Sequence, residues 1–188
     1  MNQHRTLRSL ILAALLGALT AIGAFLKIQI PVEGIPAITL QFFFTAMAGV
    51  LLGAKYGAIS QAVYVLLGLV GLPIFTMGGG FSYVLQPSFG FLLGLIPSAW
   101  VIGTLCKNAK SFWPMTLGIL AGLAVLYLIG TPYMGLILNL YLGKGMSVWQ
   151  IVRAGCLLYL PGDVLKIVVC TALCLALRSR LPKALAAA

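Results

Sequence analysis

Acidic side chains are almost absent from this sequence of 188 residues. Glu33 and Asp163 are its two carboxylates, and His4 is its single histidine. Carboxylate-ligated metal sites, paired glycosidase acids and Ser-His-Asp triads would all have to be built from these three residues. We therefore expect no enzyme activity, no catalytic residues, and neither a metal nor a cofactor.

Charge of either sign is also scarce, because charged residues make up 7% of the chain and hydrophobic residues make up 62%. Soluble domains have about 25% charged residues, which they need to cover their surface. This composition predicts an all-α integral membrane protein that forms a single domain over residues 1–188. In such a chain the formal net charge of +10 records topology rather than nucleic-acid binding.

Breaks at glycine, proline and charged residues divide the chain into six predicted transmembrane helices. The first resembles a secretory signal but has too long an apolar stretch, so we expect it to be retained. The second and third are too short to cross the membrane alone, and the uncharged segment 72–88 is expected to fill the remaining depth. Irregular backbone at membrane depth lines a cavity or is buried in protein. The predicted spans are 7–27, 37–53, 57–71, 88–106, 113–131 and 161–180.

The distribution of Lys and Arg predicts that both termini are cytoplasmic in the cell membrane. Three basic residues fall on the opposite side: Lys27, Lys144 and Arg153. Basic residues are enriched in cytoplasmic loops, and the long loops then lie outside. Within the last of the long outer loops, residues 147–160 are expected to form an interfacial helix that covers the outer opening of the binding site. The eight basic residues on the cytoplasmic side are Arg5, Arg8, Lys55, Lys107, Lys110, Arg178, Arg180 and Lys183.

The strongest candidate site is the pair Asp163 and Lys166. The run Leu160-Pro161-Gly162-Asp163 reads as a helix start, and Lys166 follows on the same face one turn later. Ionisable groups inside membrane spans are costly and usually mark a ligand or ion path. The alternative is a helix-dipole acid with an internal ion pair.

The glycine-rich segment 71–90 contains further candidates. Three consecutive glycines allow close approach of the backbone to a ligand, although a generic flexible loop would have the same composition. Farther upstream, Thr39 and Gln41 begin the second span, where Thr39 could equally be an N-cap. The candidates in the glycine-rich segment are Phe75, Gly78, Gly79, Gly80, Tyr83 and Gln86.

Small residues recur at helical spacing in the first span. Ala13, Gly17 and Ala21 form one row, and Ala14 with Ala18 forms the neighbouring one. Small-xxx-small rows allow helices to pack closely in lipid. These small residues either pack against other helices of the same chain or form an exposed docking stripe for another membrane subunit.

Several motifs in this order resemble the BioY family of biotin-specific S components of energy-coupling factor (ECF) transporters. They are ITLQ (38–41), AGVLLGAKYGAISQAVYVLLGLVGLPIF (48–75), GGG (78–80), a Pro-x-x-Gly-aromatic turn (87–91) and PGDVLK (161–166). Members usually have Pro-Thr-Gly-Gly-Tyr where this chain has Pro87-Ser88-Phe89-Gly90-Phe91.

The resemblance implies a six-helix S-component fold that binds biotin with high affinity from outside. It also implies two kinds of partner, a transmembrane T subunit that meets Ala14 and Ala18, and two ABC ATPases. The ATP-binding motif GxxxxGK[ST] is absent from this chain, so the energy for transport is expected to come from these partners. Asp163 suits the ureido N–H groups of biotin, and Lys166 suits its carbonyl or its carboxylate. Gln41 and Gln86 are additional polar side chains that could hydrogen-bond to biotin. Phe75, Tyr83 and the backbone of 78–80 are expected against the bicycle, with Tyr159 near the mouth.

Other functions remain open from the residues alone. They are an ion-coupled or solitary carrier for another small vitamin, a membrane-embedded enzyme and a scaffold without ligand. A proton-coupled carrier could use Asp163, but such carriers usually have internal repeats and more titratable groups.

Overall fold

The computed structural model describes residues 2–30 and 34–180, so Glu33 and Lys183 lie outside the described residues. Single 3-10 and π-helical turns, at Phe81–Leu85, Ile137–Tyr141 and Arg153–Leu157, extend or join the main elements. Those elements are α1 (Asn2–Phe25), β1 (Lys27–Ile28), β2 (Ile38–Thr39), α2 (Gln41–Val70), α3 (Phe89–Leu105), α4 (Phe112–Leu136), α5 (Val148–Val152) and α6 (Leu160–Arg180).

Helix α2 reverses direction at Gly53. This residue has φ 76° and ψ 179°, a conformation in which side chains other than that of glycine are strained. The hydroxyl of Thr45 donates to Oε1 of Gln61 at 2.9 Å, whereas sixteen residues of straight helix would separate them by about 24 Å. The predicted spans 37–53 and 57–71 are therefore two antiparallel arms of one helical hairpin.

By length and apolar composition alone, four helical stretches of the described chain could cross a membrane: Thr6–Phe25, Gln41–Val70, Phe112–Tyr141 and Val148–Arg180. The second of them folds back on itself at Gly53. Helix α3 is apolar but shorter. The expected interfacial helix over 147–160 is only partly present, because α5 leads through the Arg153–Leu157 turn directly into α6. Its aromatic residue Trp149 is 65% exposed.

Glycines bring the helices into close contact. A methyl group on Gly103 would lie 2.2 Å from the backbone nitrogen of Ala54, so α3 packs directly on the α2 reversal. A methyl group on Gly122 would lie 2.3 Å from the side chain of Ile102, which brings α4 equally close to α3. The outer surface is apolar, as at Val70 and Leu128, which are 85% and 74% exposed. Such a surface is typical of a protein that faces lipid.

One end of the bundle is basic and tightly connected. The guanidinium of Arg178 donates to the carbonyls of Cys106 and Ala109 at 2.9 and 3.0 Å, and to that of Val50. These contacts join the end of α6 to the α2 reversal and the α3–α4 loop, where Lys107 and Lys110 also lie. The opposite end contains the two-stranded sheet, in which Lys27 pairs with Thr39 and Ile28 with Ile38.

Candidate functional site

A cavity opens at the end of the molecule opposite Arg178. The space between its lining atoms, counted together with the open mouth, is about 640 Å³. The segment 36–39, the first arm of α2, the segment 76–88, helices α3, α4 and α6, and Tyr159 before α6 surround it. The lining residues are Pro36, Ala37, Thr39, Gln41, Phe42, Thr76, Tyr83, Ser88, Phe91, Leu92, Leu95, Leu126, Tyr127, Tyr159, Asp163 and Lys166.

Asp163 and Lys166 form an ion pair on the first two turns of α6. Their side chains are 6% and 12% exposed, so the charges are withdrawn from solvent. The ammonium of Lys166 also donates to the backbone carbonyl of Thr39 at 3.0 Å, which ties α6 to β2. Since buried charges are stable only when they are paired and hydrogen-bonded, this arrangement holds both groups in fixed positions.

Two tyrosines support the carboxylate end of this pair. The hydroxyl of Tyr127 on α4 donates to Oδ2 of Asp163. The hydroxyl of Tyr159 donates to the carbonyl of Pro36 at 2.5 Å, and the Tyr159 carbonyl accepts from the Asp163 amide at 2.9 Å. Tyr159 was a candidate from the sequence. Tyr127 was not, although a lone phenol inside an apolar span is a signal that could have identified it.

Gln41 lies at the start of α2, where its side-chain amide bridges the two arms of the hairpin. Its Nε2 donates to the Tyr64 hydroxyl at 2.8 Å, and its Oε1 accepts from the Thr39 hydroxyl at 3.0 Å. Leu40 occupies the N-cap position of α2 and makes no side-chain cap, while the Thr39 hydroxyl, one residue earlier, accepts from the Gln41 amide at 3.4 Å. Gln41 therefore presents a fixed amide to the cavity.

A second polar group lines the cavity and consists of three hydroxyls, from Thr76, Tyr83 and Ser88. We refer to these three residues as the hydroxyl cluster. The Thr76 and Tyr83 oxygens are 2.8 Å apart, and the Ser88 hydroxyl donates to that of Tyr83 at 3.1 Å. The ammonium of Lys27, which does not itself line the cavity, donates to the backbone carbonyl of Thr76. The cavity therefore has two polar groups of different character.

Apolar side chains form the remaining wall. Four of these five residues are buried, and Phe91 is half-buried. Apolar contacts of this kind supply most of the affinity of a pocket, whereas the few polar groups fix the orientation of the ligand. The wall comprises Phe42, Phe91, Leu92, Leu95 and Leu126.

Other residues predicted for the site do not line this cavity. Phe75 is 1% exposed, and its ring fills the space that Gly68 leaves empty on α2, where a methyl group would lie 2.1 Å away. Gln86 and Gly79 line a separate depression, which shares Tyr83 with the main cavity.

The triple glycine closes the end of α2. Gly78 and Gly80 have φ values of 112° and 101°, and Gly79 lies between them. The Gly80 amide donates to the carbonyl of Gly68 at 2.7 Å, and the Gly78 carbonyl accepts from the Phe75 amide at 2.8 Å. The glycines thus form a tight turn that positions Phe75.

The two small-residue rows of α1 face in different directions. Ala13 and Gly17 are buried, and a methyl group on Gly17 would lie 3.1 Å from the Ser60 carbonyl. Ala14 and Ala18 are exposed. The first row is therefore internal packing, and the second lies on the outer surface of the bundle.

No group of three or more His, Cys, Asp or Glu side chains that could hold a metal ion occurs among the residues that the structure describes. The cavity contains one carboxylate and one ammonium, together with hydroxyls and an amide. This donor set suits a neutral polar ring or an anionic organic molecule.

Comparison with known proteins gives a consistent result. A family model described as the BioY family matches residues 1–183. A probable biotin transporter BioY of Lysinibacillus sphaericus is 44% identical over 149 residues, which cover 78% of this chain and 74% of that protein. The biotin transporter BioY of Thermotoga maritima is 36% identical, with 92% and 96% covered. The crystal structure of a biotin S-component from an ECF-type ABC transporter superposes with a TM-score of 0.82, at 27% identity and 95% coverage of each chain.

Proposed function

The chain belongs to the BioY family, and we propose that it is the high-affinity biotin-binding membrane subunit, or S component, of an ECF-type ABC transporter for biotin uptake. The observation that carries this proposal is the cavity that contains the buried pair Asp163 and Lys166. The named relatives are transporters rather than enzymes. The ligand is biotin, and we infer no cofactor or metal.

The ion pair suits the ureido ring of biotin. This ring has two N–H donors and one carbonyl acceptor, and the cavity offers a carboxylate and an ammonium side by side. Asp163 accepts from an N–H group, and Lys166 donates to the carbonyl. Tyr127 holds Oδ2 of the carboxylate through its hydrogen bond. Because donors and acceptors are fixed before the ligand enters, little ordering is needed on binding.

The bicycle of biotin fits the apolar wall. Phe42 on α2 and Phe91 on α3 line the cavity, and the leucines of α3 and α4 complete the surface. Burial of apolar area contributes roughly 25 cal/mol per Å². Gln41 and Tyr159 remain close enough to contact the polar parts of the ligand, and Tyr83 belongs to the hydroxyl cluster.

We further propose six membrane-embedded segments, in which the two arms of α2 count separately, with both termini in the cytoplasm. Eight basic residues then lie on the inside, at the end where Arg178 joins the α2 reversal and the α3–α4 loop. The cavity faces outward. This orientation places the ligand site where an uptake subunit needs it.

The energy for transport must come from other subunits, because the chain has no GxxxxGK[ST] motif. We propose as partners a transmembrane T subunit, which lies with this chain in the lipid bilayer, and two cytoplasmic ABC ATPases. Ala14 and Ala18 form the docking stripe for the T subunit, since both are exposed and small enough for close helix approach.

Cysteine labelling tests the outward-facing biotin cavity. In a variant without the four native cysteines, a cysteine at Ala37, which lines the cavity, should react with a membrane-impermeant maleimide from outside. Saturating biotin should protect it. A cysteine at Lys144 should label with or without biotin, and one at Lys107 should not label in intact cells. Labelling at Lys107 alone would contradict the orientation, and labelling at Ala37 without protection would contradict the site.

A further inference from the structure

We propose that a groove between α4 and α5 binds one anionic phospholipid, with an acyl chain along its apolar walls and the phosphate beside Lys144 and Arg153. This inference goes beyond biotin uptake and concerns a surface that is separate from the main cavity. We refer to this surface as the α4–α5 groove. Its walls include Thr131, Gly135 and Leu140 on one side and Val148, Ile151 and Val152 on the other.

The α4–α5 groove is almost entirely apolar, although its walls contain polar residues. The Nδ2 of Asn139 donates to the Met146 carbonyl at 2.8 Å, and its Oδ1 accepts from the Met146 amide at 2.7 Å. The Thr131 hydroxyl donates to the Gly155 carbonyl at 3.4 Å. Since these polar groups are engaged within the protein, the groove offers the apolar contacts that suit a hydrocarbon chain.

Hydrogen bonds fix the turn that joins the two walls of the groove. The Lys144 amide donates to the Leu138 carbonyl at 2.9 Å, so the turn folds back over the end of the α4 wall. Ser147 then begins α5 with a capping box, in which its hydroxyl accepts from the Gln150 amide and its amide donates to the Gln150 side chain. The groove is therefore preformed, and Lys144 lies at the end where its walls are joined.

The groove lies at the boundary between the hydrocarbon core and the headgroups. The helical stretch Phe112–Tyr141 has 30 residues, or about 45 Å of helix, whereas the core is about 30 Å thick. Trp113, which is 73% exposed at its start, is of the type that marks a membrane interface. The other boundary then falls roughly 20 residues later, near Pro132, where the groove begins. A phospholipid at this level has its chain in the core and its phosphate beside the turn.

The charge around the groove favours an anionic headgroup. Lys144 lies in the joining turn, Arg153 directly follows Val152, and both basic residues are exposed. The segment 131–160 contains no Asp or Glu. A lipid phosphate therefore meets positive charge without a competing carboxylate from this segment.

A second copy of this chain suits the groove less well than a lipid does. In a two-fold interface the same surface faces itself, so Lys144 and Arg153 of the two copies would approach each other and repel. The proposed docking stripe for the T subunit lies elsewhere, on α1, which packs mainly against α2, whereas α5 packs against α4. An anionic lipid removes the repulsion and fills the apolar space.

Fluorescence quenching by brominated lipids tests this inference on the full chain in bilayers. Trp100→Phe and Trp113→Phe leave Trp149, which is next to Val148 on α5, as the single tryptophan. Brominated phosphatidylglycerol should quench it at about fivefold lower mole fraction than brominated phosphatidylcholine with the same chains, because two exposed charges attract the phosphate. Lys144→Gln combined with Arg153→Gln should abolish this preference. Val148→Phe should reduce it at least twofold, because the ring occupies the space of the acyl chain.

Lys107→Gln combined with Lys110→Gln is the matched control, since it removes two exposed charges from the opposite end of the bundle. It should keep the preference for phosphatidylglycerol. Every variant should bind biotin as the unmodified protein does, because the groove and the main cavity share no lining residue. Such binding also shows that the variants are folded.

Equal quenching by the two lipids in the unmodified protein would overturn the inference, as would a preference that survives either groove variant. Efficient disulfide cross-linking of two chains through Leu140→Cys, in a background without the native cysteines, would show that a second copy fills the groove instead. None of these outcomes affects the proposed function, which fails only if the unmodified protein does not bind biotin.

Discussion

Replacing Asp163 by Asn should weaken biotin binding by about 1–3 kcal/mol, which corresponds to about 5–150-fold in Kd. The amide keeps one acceptor oxygen but loses the charge that strengthens a bond from the ureido N–H group. It also leaves the ammonium of Lys166 buried without its counter-ion. Calorimetry with the purified variant measures the change.

Two further variants show whether this loss belongs to the ligand site. Tyr127→Phe removes the hydrogen bond that holds Asp163, and should weaken binding by about 0.5–1.5 kcal/mol. Thr116→Val breaks a 3.2 Å contact with Thr171 that also joins α4 to α6, but lies outside the cavity lining. Its affinity should not change. An unaltered affinity for Asp163→Asn would mean that Asp163 only stabilises the start of α6.

Replacing Ala18 by Trp should abolish biotin uptake in cells that express the ECF partners, while biotin binding by the isolated chain stays almost unchanged. Ala14 and Ala18 share one face of α1 and are exposed. A large side chain there prevents the close approach that a small-residue stripe allows. The cavity lies among other elements, so its geometry is not disturbed. Tracer uptake and calorimetry measure the two properties separately.

Ala172→Trp is the matched control, because it places the same bulk on an exposed alanine of α6. It should support normal uptake if docking is confined to α1. If binding falls together with uptake in Ala18→Trp, the stripe has a structural role within the chain. If neither property changes, the partner docks on another face.

The sequence predicted the family, the membrane class and the residues that form the ion pair. The comparisons confirm the resemblance to the BioY family. Asp163 and Lys166 were accessible to sequence reasoning because they lie three residues apart on one helix, where spacing alone determines that they meet. Their scarcity in an apolar chain made them conspicuous. The helical period alone was therefore sufficient to predict this pair.

Contacts between distant segments were not accessible in this way. Thr76 and Ser88 meet through Tyr83 in an irregular loop, and Lys27 reaches that loop from 49 residues away. No periodic pattern predicts such contacts. Tyr127 was overlooked for a related reason, since its partner Asp163 lies 36 residues farther along the chain.

Two further predictions concern contacts of this loop with the ligand, and the structure places the residues concerned outside the lining of the main cavity. Phe75 was expected against the ligand, but Gly68 provides a recess on α2 that the ring fills instead. The triple glycine was expected to approach the ligand, but it closes the end of α2. Composition indicates that such a segment can turn sharply, whereas the direction of the turn depends on the surface against which it packs.

Calorimetric titration of the purified, biotin-depleted protein with biotin tests the central claim most directly. A saturable heat with a stoichiometry near one is expected, and titration with thiamine or riboflavin under the same conditions should give none. Because the cavity is largely preformed, binding should need no partner subunit. The absence of any saturable heat with biotin, or an equal response to the other vitamins, would contradict the account.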